Sequence, residues 1–482
     1  MADNSNLYTA KYSLVGVFIN TLWFGIVPKL PSLINVILLP IITPYLSAWD
    51  YGVWGKISAY TSMVTAFCTL GLHVHLTNSY YEYGKKYSLV WSRLNLLLHL
   101  ISLICGTILC FIFLFSLVEL PLMKRFVIAT LSICPVLFSP NQLLASHLFP
   151  LRAQPKPLVL RNLIASLSGL AFLYISVVIF KKGFVGFVLS ASITAVVGYV
   201  LFYSPLKKEN ITLNYHNRWE RIKKWVLIGL PLVPHTLGFA LLSSSTRIVM
   251  DICGIKIEEI GLFTSGVTVG SYVVLITSAM ASSLSPQIQQ FYRRRELKNF
   301  RYLFYIDQLI SIVCIFLFSL WMKELYTLLI RNDELFVAFS IAQVVCFANL
   351  IYPFYHFTSN IISIQKRTVH MLWLAFVPGI ICVILNFILL PIYGYEIAAV
   401  VSVASYWVMF LLPLVIPYLH HITKEWLGGI WKIPVFIFLS GLTILGVHYL
   451  SNIGFYYKIL YSLVFCVASS GLLIRLNNNI KR

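Results

Sequence analysis

Residues 44–60, "PYLSAWDYGVWGKISAY", return in altered form at residues 251–269, "DICGIKIEEIGLFTSGVTV", with Gly52 aligned on Gly261. A second pair of segments keeps nearly the same offset. "AQPKPLVLRNLI" (153–164) and "VVIFKKGFVGFVLSAS" (177–192) match "SIQKRTVHMLWL" (363–374) and "FILLPIYGYEIAAVVSVAS" (387–405). Gln154 then falls on Gln365 and Gly183 on Gly394, so glycines recur at corresponding ends of apolar runs. A repeat at fixed offset signals two copies of one structural unit.

Outward from these segments, apolar runs fill nearly the whole chain of 482 residues. Hydrophobic residues make up 59% of it and charged residues 11%, against roughly 25% charged in soluble domains. Runs of about 20 apolar residues each suffice to cross a bilayer as a helix. Fourteen candidate spans follow: 13–46, 51–75, 90–117, 124–149, 158–180, 183–204, 225–250, 259–286, 303–322, 335–361, 369–391, 394–419, 431–449 and 455–474. The expected fold is an all-α integral membrane protein of about 14 transmembrane helices. The repeat divides it into an N-lobe (1–215, spans 1–6), a C-lobe (216–420, spans 7–12) and two extra helices (421–482). Six spans per repeat give both lobes the same orientation, with a pseudo-two-fold axis along the membrane normal and a cavity between them.

The connections alternate in charge. "YGKKYSLVWSR", "PLRAQPKPLVLR", "PLKKENITLNYHNRWERIKK", "YRRRELKNFR" and "QKRT" lie on one side with both termini, and that side carries 25 of the 36 Lys and Arg. Such a bias marks the cytoplasmic side, so both termini are expected there and the helix count is even. The net charge of +20 follows largely from this asymmetry and calls for no nucleic-acid partner. Every loop is short, no Walker A motif occurs, and no outward loop could hold a catalytic domain, so no enzyme activity is expected. The polar start "MADNSNLYTAKYS" lacks a small-residue cleavage site for a signal peptide. Nine scattered cysteines show no C-x-x-C or Cys/His spacing, so neither disulfides, a metal site nor a cofactor is expected.

Three stretches resemble the polysaccharide or O-antigen flippases (Wzx-like polysaccharide transporters) of the MATE-like MOP superfamily. They are "LINVILLPIITPYLSAWDYGVWG" (33–55), "GLPLVPHTLGFALLSSSTRIVMDICGIKIEEIGLFTSG" (229–266) and "NFILLPIYGYEIAAVVSVASY" (386–406). The resemblance covers the chain in order and spacing. It implies a flippase in the bacterial inner membrane that moves an undecaprenyl-diphosphate-linked oligosaccharide to the outer leaflet. Surface polysaccharide such as O-antigen, lipopolysaccharide or capsule would be the end product. Implied partners are that lipid-linked cargo, membrane lipids, a polysaccharide polymerase and a chain-length regulator. The alternative is a MATE-type exporter of drugs or organic cations. Two positions depart from the family pattern: Thr246 stands where an acidic residue is usual, and Ile397-Ala398-Ala399 replaces "GAA".

A cation within a span is costly, roughly 2.5–3.5 kcal/mol on insertion scales, and is a functional candidate by default. Lys29, Lys56 and Arg247 meet that description. Lys29 stands between prolines in "GIVPKLPS" (25–32), within a span too long for a straight crossing at about 1.5 Å per residue. Either span 1 kinks at Pro28 and Pro31 and turns Lys29 into the cavity, or the helix begins near residue 30 and Lys29 sits at the cytoplasmic mouth. A diphosphate offers acceptors to several such donors. For the glycan, the polar residues Asn35, Asn78, Asn141, Gln142, His235, Asn349, Tyr352, His356 and Asn360 are candidates, each with interhelical hydrogen bonding as its plainer role. His73 and His75 are expected to meet headgroups. No carboxylate is expected deep within a span, since Asp50, Glu82 and Glu119 lie at span ends and Asp307 at the start of span 9. That scarcity weighs against a cation-coupled drug exporter.

Overall fold

The computed structural model describes residues 29–481 except 118–119, 153, 214–222, 224, 228, 231–232, 366, 430 and 452. All regular structure among the described residues is helical. In chain order the helices are α1 (Leu30–Ile42), α2 (Ala48–Cys68), α3 (Leu72–Tyr83), α4 (Tyr87–Ser116), α5 (Leu122–Leu151), α6 (Lys156–Ile179) and α7 (Val185–Lys208). There follow α8 (Val233–Ile252), α9 (Ile257–Gly270), α10 (Val273–Arg293), α11 (Leu297–Leu320), α12 (Met322–Leu329) and α13 (Asp333–Ile364). The chain ends with α14 (Met371–Tyr393), α15 (Ile397–Val415), α16 (Pro417–Leu427), α17 (Lys432–Leu450) and α18 (Phe455–Lys481).

Among the described residues nine helices are long and apolar enough to cross a membrane, or ten if α9 and α10, bent by 41°, form one span. That is fewer than the fourteen expected. Two expected spans correspond to α2 and α8, which are too polar for the same test; α2 carries Asp50 and Lys56, and α8 carries Arg247, Asp251 and three consecutive serines. Most of the first expected span lies outside the described residues, and only α1 represents it.

The quoted repeat begins α2. Ser47 and Asp50 form a reciprocal capping box: Ser47 Oγ accepts from Asp50 N at 3.2 Å, and Asp50 Oδ2 accepts from Ser47 N at 3.0 Å. Such caps are worth about 1 kcal/mol. The other carboxylate oxygen accepts Phe184 N at 2.8 Å, so one side chain starts α2 and fixes the chain just before α7.

Close packing of α2 on α9 follows from the glycines. A Cβ on Gly52 would lie 1.9 Å from Ile257 O, and one on Gly261 would lie 1.8 Å from Ala48 O. Between them Gly55 faces Thr264. Small residues let backbones approach in this way where lipid supplies no hydrophobic drive for helix association. Loop contacts seal the same end of the bundle. Arg331 N donates to Thr43 Oγ1 (3.0 Å), Asn332 Nδ2 to Leu46 O (2.7 Å), and Ala48 N to Glu334 Oε2 (3.2 Å).

Around α11, Phe300, Phe304 and Phe357 meet edge-on in a buried aromatic cluster that includes Trp426, against which Phe354 is tilted. The C-terminal α18 docks on α11 and α12 through Phe316–Phe465 stacking at 4.2 Å, Trp321 Nε1 to Ser462 Oγ at 3.0 Å, and Lys458–Glu324 at 2.7 Å. All nine cysteines are unpaired. The π-helical stretch Ile175–Ile179 ends α6 just before Gly183, whose φ of +57° and tight contact with Asp50 both require glycine.

The Gly55–Thr264 contact makes a direct test possible. A Cβ at residue 55 would stand 3.2 Å from Thr264 Cβ, slightly inside the usual disulfide separation of about 3.5–4.5 Å. The double variant Gly55→Cys/Thr264→Cys, with native cysteines replaced, is expected to cross-link under mild oxidant. Proteolysis between the two positions followed by gel electrophoresis reads it; fragments that separate without reductant would refute the contact.

Candidate functional site

Four helices enclose a cavity of about 310 Å³: α1 (Pro31, Ser32, Asn35, Leu39), α2 (Tyr51, Trp54), α6 (Ser166, Leu170, Leu173) and α7 (Phe187, Ser190, Ala191, Thr194). Thr268 of α9 completes the wall. The lining combines hydroxyl and amide groups with aromatic rings, and none of its described residues is charged. Trp54 stacks on Phe187 with centroids 5.4 Å apart, and Tyr51 tilts against the same ring at 5.7 Å. Tyr51 is 2% exposed, yet among the described residues its hydroxyl has no hydrogen-bond partner. A buried polar atom without a partner is uncommon. Rings that offer faces beside scattered donors and acceptors suit a polyhydroxylated, uncharged ligand.

Next to the cavity, α2 and α8 meet through charge. Lys56 Nζ lies 2.7 Å from Asp251 Oδ1 and 3.1 Å from Ser116 O, and Tyr60 Oη donates to Asp251 Oδ2 at 3.0 Å. Lys56 is 3% exposed and Asp251 18%. One turn along α8, Arg247 Nη1 donates to Ser58 Oγ (3.1 Å) and Nη2 to Ser243 O (3.1 Å), while its buried Nε has no partner. Thr246, the departure from the family pattern, accepts from Asn386 Nδ2 at 3.2 Å. The carboxylate that α8 brings to this interface is Asp251, and its partner is Lys56 of α2.

The other residues singled out in the sequence disperse. Lys29 is the half-buried N-cap of α1, two residues before the cavity-lining Pro31 and Ser32. Pro31 lies in the first described turn of α1, and the residues before Lys29, with the postulated kink at Pro28, lie outside the described residues. Asn35 is on the cavity wall. Asn141 is 2% exposed and bonds Tyr199 O (3.2 Å), and His235 Nδ1 meets Met371 O (3.0 Å); both serve helix packing. Gln142 bonds Asn162 and lines a second hollow beside Thr65 and Ser146. Asn349 borders a small cavity of about 100 Å³ with Ser243, Thr246 and Tyr406. Tyr352 and His356 stack with centroids 6.3 Å apart, Asn360 bonds His356 O at 2.8 Å, and Asn78 is exposed. His75 is buried against Trp225 rather than facing headgroups.

Sequence reasoning missed Asp251, Tyr60, Tyr51, Trp54 and the hydroxyls of α6, α7 and α9. Asp251 opens the repeated segment and lies four residues after Arg247, the spacing that puts two side chains on one helix face. That was a readable signal. Asp307 is corrected outright: it lies ten residues into α11 and is 2% exposed, not at a helix end.

A family model described as "Polysaccharide biosynthesis protein" matches residues 17–292. Among solved structures, the lipid II flippase MurJ in an inward closed conformation superposes with a TM-score of 0.71, 13% identity, and coverage of 98% of this chain and 100% of that one. An inward-facing multidrug resistance MATE transporter of the MOP superfamily gives 0.63 at 14% identity, covering 87% and 98%. A MOP superfamily transporter from Pyrococcus furiosus, titled for the reverse polarity of its binding pocket, gives 0.52 at 14% identity, covering 88% and 96%. These likenesses establish the fold. No curated protein matches the sequence.

Removing one partner of a buried ion pair is destabilising, because the other charge is left less well compensated. Asp251→Asn and Lys56→Gln are each expected to lower the thermal midpoint of the purified protein by several degrees. The apolar pair Lys56→Met/Asp251→Leu restores most of the loss. Equal destabilisation in the double variant and the singles would show that the two charges do not act together.

Proposed function

Because the chain belongs to the polysaccharide biosynthesis protein family, we propose that it is a flippase for a lipid-linked oligosaccharide diphosphate. The observation that supports this reading best is the cavity between α1, α2, α6 and α7, uncharged among its described residues, rich in hydroxyls and walled by Tyr51, Trp54 and Phe187. Sugars present hydroxyls at their edges and C–H faces to rings, and this lining answers both. Residues 1–215 and 216–420 form the two lobes of the transporter, and 421–482 the two appended helices. The basic side is cytoplasmic, as are both termini, and the membrane is the bacterial inner membrane. The end at which α2 closes on α9 then faces outward.

Transport by this reading is alternating access. The glycan occupies the cavity while the polyprenyl tail stays in lipid, and Lys29, at the basic-side end of α1, takes the diphosphate where it enters. Arg247 provides a second cation one turn from the Lys56–Asp251 pair, and Lys56 becomes available to the headgroup only when that pair opens. Surface polysaccharide assembly is the process served, with a polymerase and a chain-length regulator acting on the delivered units.

A second reading, an exporter of small organic cations, draws on Asp307, a buried carboxylate of the kind that binds protons or cations. The two separate in a deletion strain. The flippase reading expects lipid-linked glycan intermediates to accumulate on the cytoplasmic leaflet and surface polysaccharide to disappear, with drug sensitivity unchanged. Normal surface polysaccharide in a strain without a redundant carrier would refute it, and new drug sensitivity would favour the exporter.

The headgroup role of Lys29 has its own test. Lys29→Ala is expected to restore surface polysaccharide to that strain at least about tenfold less well than wild type at equal membrane abundance, the loss of one charge-assisted contact worth about 1.5–3 kcal/mol. Complementation at the wild-type level would remove Lys29 from the substrate path.

A further inference from the structure

The repeat supplies an internal control on which features of the bundle the fold itself requires. At the offset of 209 that pairs Gly52 with Gly261 and Gly55 with Thr264, Ser58, Ser62 and Thr65 of α2 correspond to Val267, Ser271 and Val274. In the second copy these three positions border the cavity of about 100 Å³ beside Asn349. In the first copy the same positions border two larger hollows. A middle hollow of about 210 Å³ is lined by Trp54, Ser58, Thr61 and Ser62 of α2 and Ser132 of α5. An inner hollow of about 300 Å³ is lined by Thr65, Cys68 and Thr69 of α2 and Ser139, Gln142 and Ser146 of α5. A unit built twice needs the same helix contacts in both copies, so hollows enlarged and hydroxylated in one copy alone serve something other than the fold.

The hollows follow one another. Trp54 and Ala191 border both the cavity between α1, α2, α6 and α7 and the middle hollow. From the middle hollow to the inner one the wall advances one turn along both helices, from Ser62 to Thr65 on α2 and from Pro135 to Ser139 on α5. The lining positions of α2 (54, 58, 61, 65 and 69) and of α5 (132, 135, 139, 142 and 146) keep the three- and four-residue spacing of a single helix face. Trp54 and Thr69 are fifteen residues apart, about 22 Å along α2 at about 1.5 Å per residue.

The lining points to a ligand rich in hydroxyls. None of the described residues in the three walls is charged. Ser132 is 3% exposed, and among the described residues its Oγ has no hydrogen-bond partner. The same holds for the buried Thr61 Oγ1 in the middle hollow and Thr69 Oγ1 in the inner one. With Tyr51 Oη in the first cavity, each of the three holds a buried hydroxyl that lacks a partner, whereas native interiors leave few such atoms. Thr65, Ser139 and Ser146 donate to the backbone carbonyls of Thr61, Val136 and Leu143 at 2.7, 2.8 and 2.7 Å, and such hydroxyls retain acceptor lone pairs. An organic cation would find no carboxylate in these walls. Arg247 reaches the edge of the middle hollow, where it donates to Ser58 Oγ (3.1 Å).

We propose that the cavity between α1, α2, α6 and α7, the middle hollow and the inner hollow are successive subsites of one track, and that this track binds an uncharged oligosaccharide in extended form along the polar faces of α2 and α5. The identity of the ligand rests on the flippase reading, while the track itself rests on the hollows and their hydroxyls. The first copy of the repeat then carries the sugar contacts, and the inner hollow, nearest the basic connection after α5, is the one a cargo from that side meets first.

The test uses the purified full-length protein in detergent, in a background whose native cysteines, Cys68 among them, are replaced. Single cysteines are placed in the inner hollow (Thr65→Cys, Ser139→Cys) and in the first cavity (Ser190→Cys). Labelling by a small charged thiol reagent is followed with two probes: the lipid-linked oligosaccharides extracted from membranes of the deletion strain, and undecaprenyl diphosphate, which carries no sugar. All three positions are expected to label, and at about ten times its Kd the sugar-bearing lipid slows each about tenfold, as mass action requires of an occluded site. Undecaprenyl diphosphate leaves the rates unchanged. If Thr65→Cys and Ser139→Cys do not label, or label at a rate the sugar-bearing lipid does not slow while it protects Ser190→Cys, the track is overturned and the flippase reading stands. Protection at none of the three positions overturns both. A second measurement removes hydroxyls without emptying space. In Thr61→Val/Ser132→Ala, the preference for the sugar-bearing lipid over undecaprenyl diphosphate, read as a ratio of Kd values from thermal-midpoint titrations, is expected to fall about tenfold, the worth of one or two hydrogen bonds. Both hydroxyls lack partners in the unliganded protein, so the variant is expected to fold, and a ratio equal to that of the wild type overturns the proposal.

Discussion

The architecture hangs on the distance between two backbones. At Gly52 and Gly261 a single added methyl would sit within 2 Å of a carbonyl oxygen on the facing helix, so α2 and α9 can close only if both positions lack a Cβ. The contacts are reciprocal. Gly52 meets Ile257 and Gly261 meets Ala48, and each member of one pair is 209 positions from its counterpart in the other. Gly55 meets Thr264 at that same separation, which is what a residue beside a two-fold axis must do. Repeat and interface are thus one fact: the segment that recurs in the sequence is the one that packs against its own copy.

What lies within that closed surface gains strength and cost together. Lys56 at 3% exposure is taken almost wholly out of water; Asp251, itself held by the Tyr60 hydroxyl, and the Ser116 carbonyl compensate it. A buried pair of this sort contributes little net stability and is best understood as fixing register, because any slip of α2 along α8 strands a charge. To part the helices at this end, the chain must give up the ion pair, the Arg247–Ser58 bond and the three loop contacts of residues 331–334. A second glycine contact at the far end of α2 adds to this, where a Cβ on Gly71 would lie 2.1 Å from Gly229 O. With α2 held at both ends, movement of one half of the molecule against the other acts on it as a unit.

The sequence showed the parts of this that depend on local chemistry. A glycine shared by two copies of a repeat is visible because no other residue leaves the space it leaves; the cap in "SAWD", where Ser and Asp three apart exchange bonds with each other's backbone, is as local but emerged only from the structure. Partners distant along the chain were not visible. Lys56 looked like a free cavity cation because nothing near it in sequence could pair with it, and Asp251 comes 195 residues later. Asp307 was misplaced for another reason. Hydropathy starts the span where polar residues stop, near 303, whereas the helix begins at Leu297 and includes polar first turns. The cavity hydroxyls escaped notice because single Ser and Thr residues in apolar helices usually bond their own backbone, as Ser168 and Thr194 do here.

The distribution of charge that results has a consequence for any anionic cargo. The described residues of the cavity wall are neutral, so they offer a diphosphate no ionic hold and a glycan no ionic penalty. Cations stand around it: Lys29 at the start of α1, and Lys56 and Arg247 where α2 meets α8. In the closed arrangement Lys56 is already neutralised by Asp251, so a headgroup that engages it must compete with a carboxylate at 2.7 Å. Competition of that kind couples binding to opening, since the pair that the headgroup would break is also the pair that fixes α2 against α8. A ligand shifts a conformational equilibrium only by its difference in affinity for the two states, and an occupied rather than vacant Lys56 is such a difference. On the proposed reading, then, Asp251 belongs to the transport mechanism without touching the cargo: it keeps a desolvated lysine paired until an anion of comparable strength arrives.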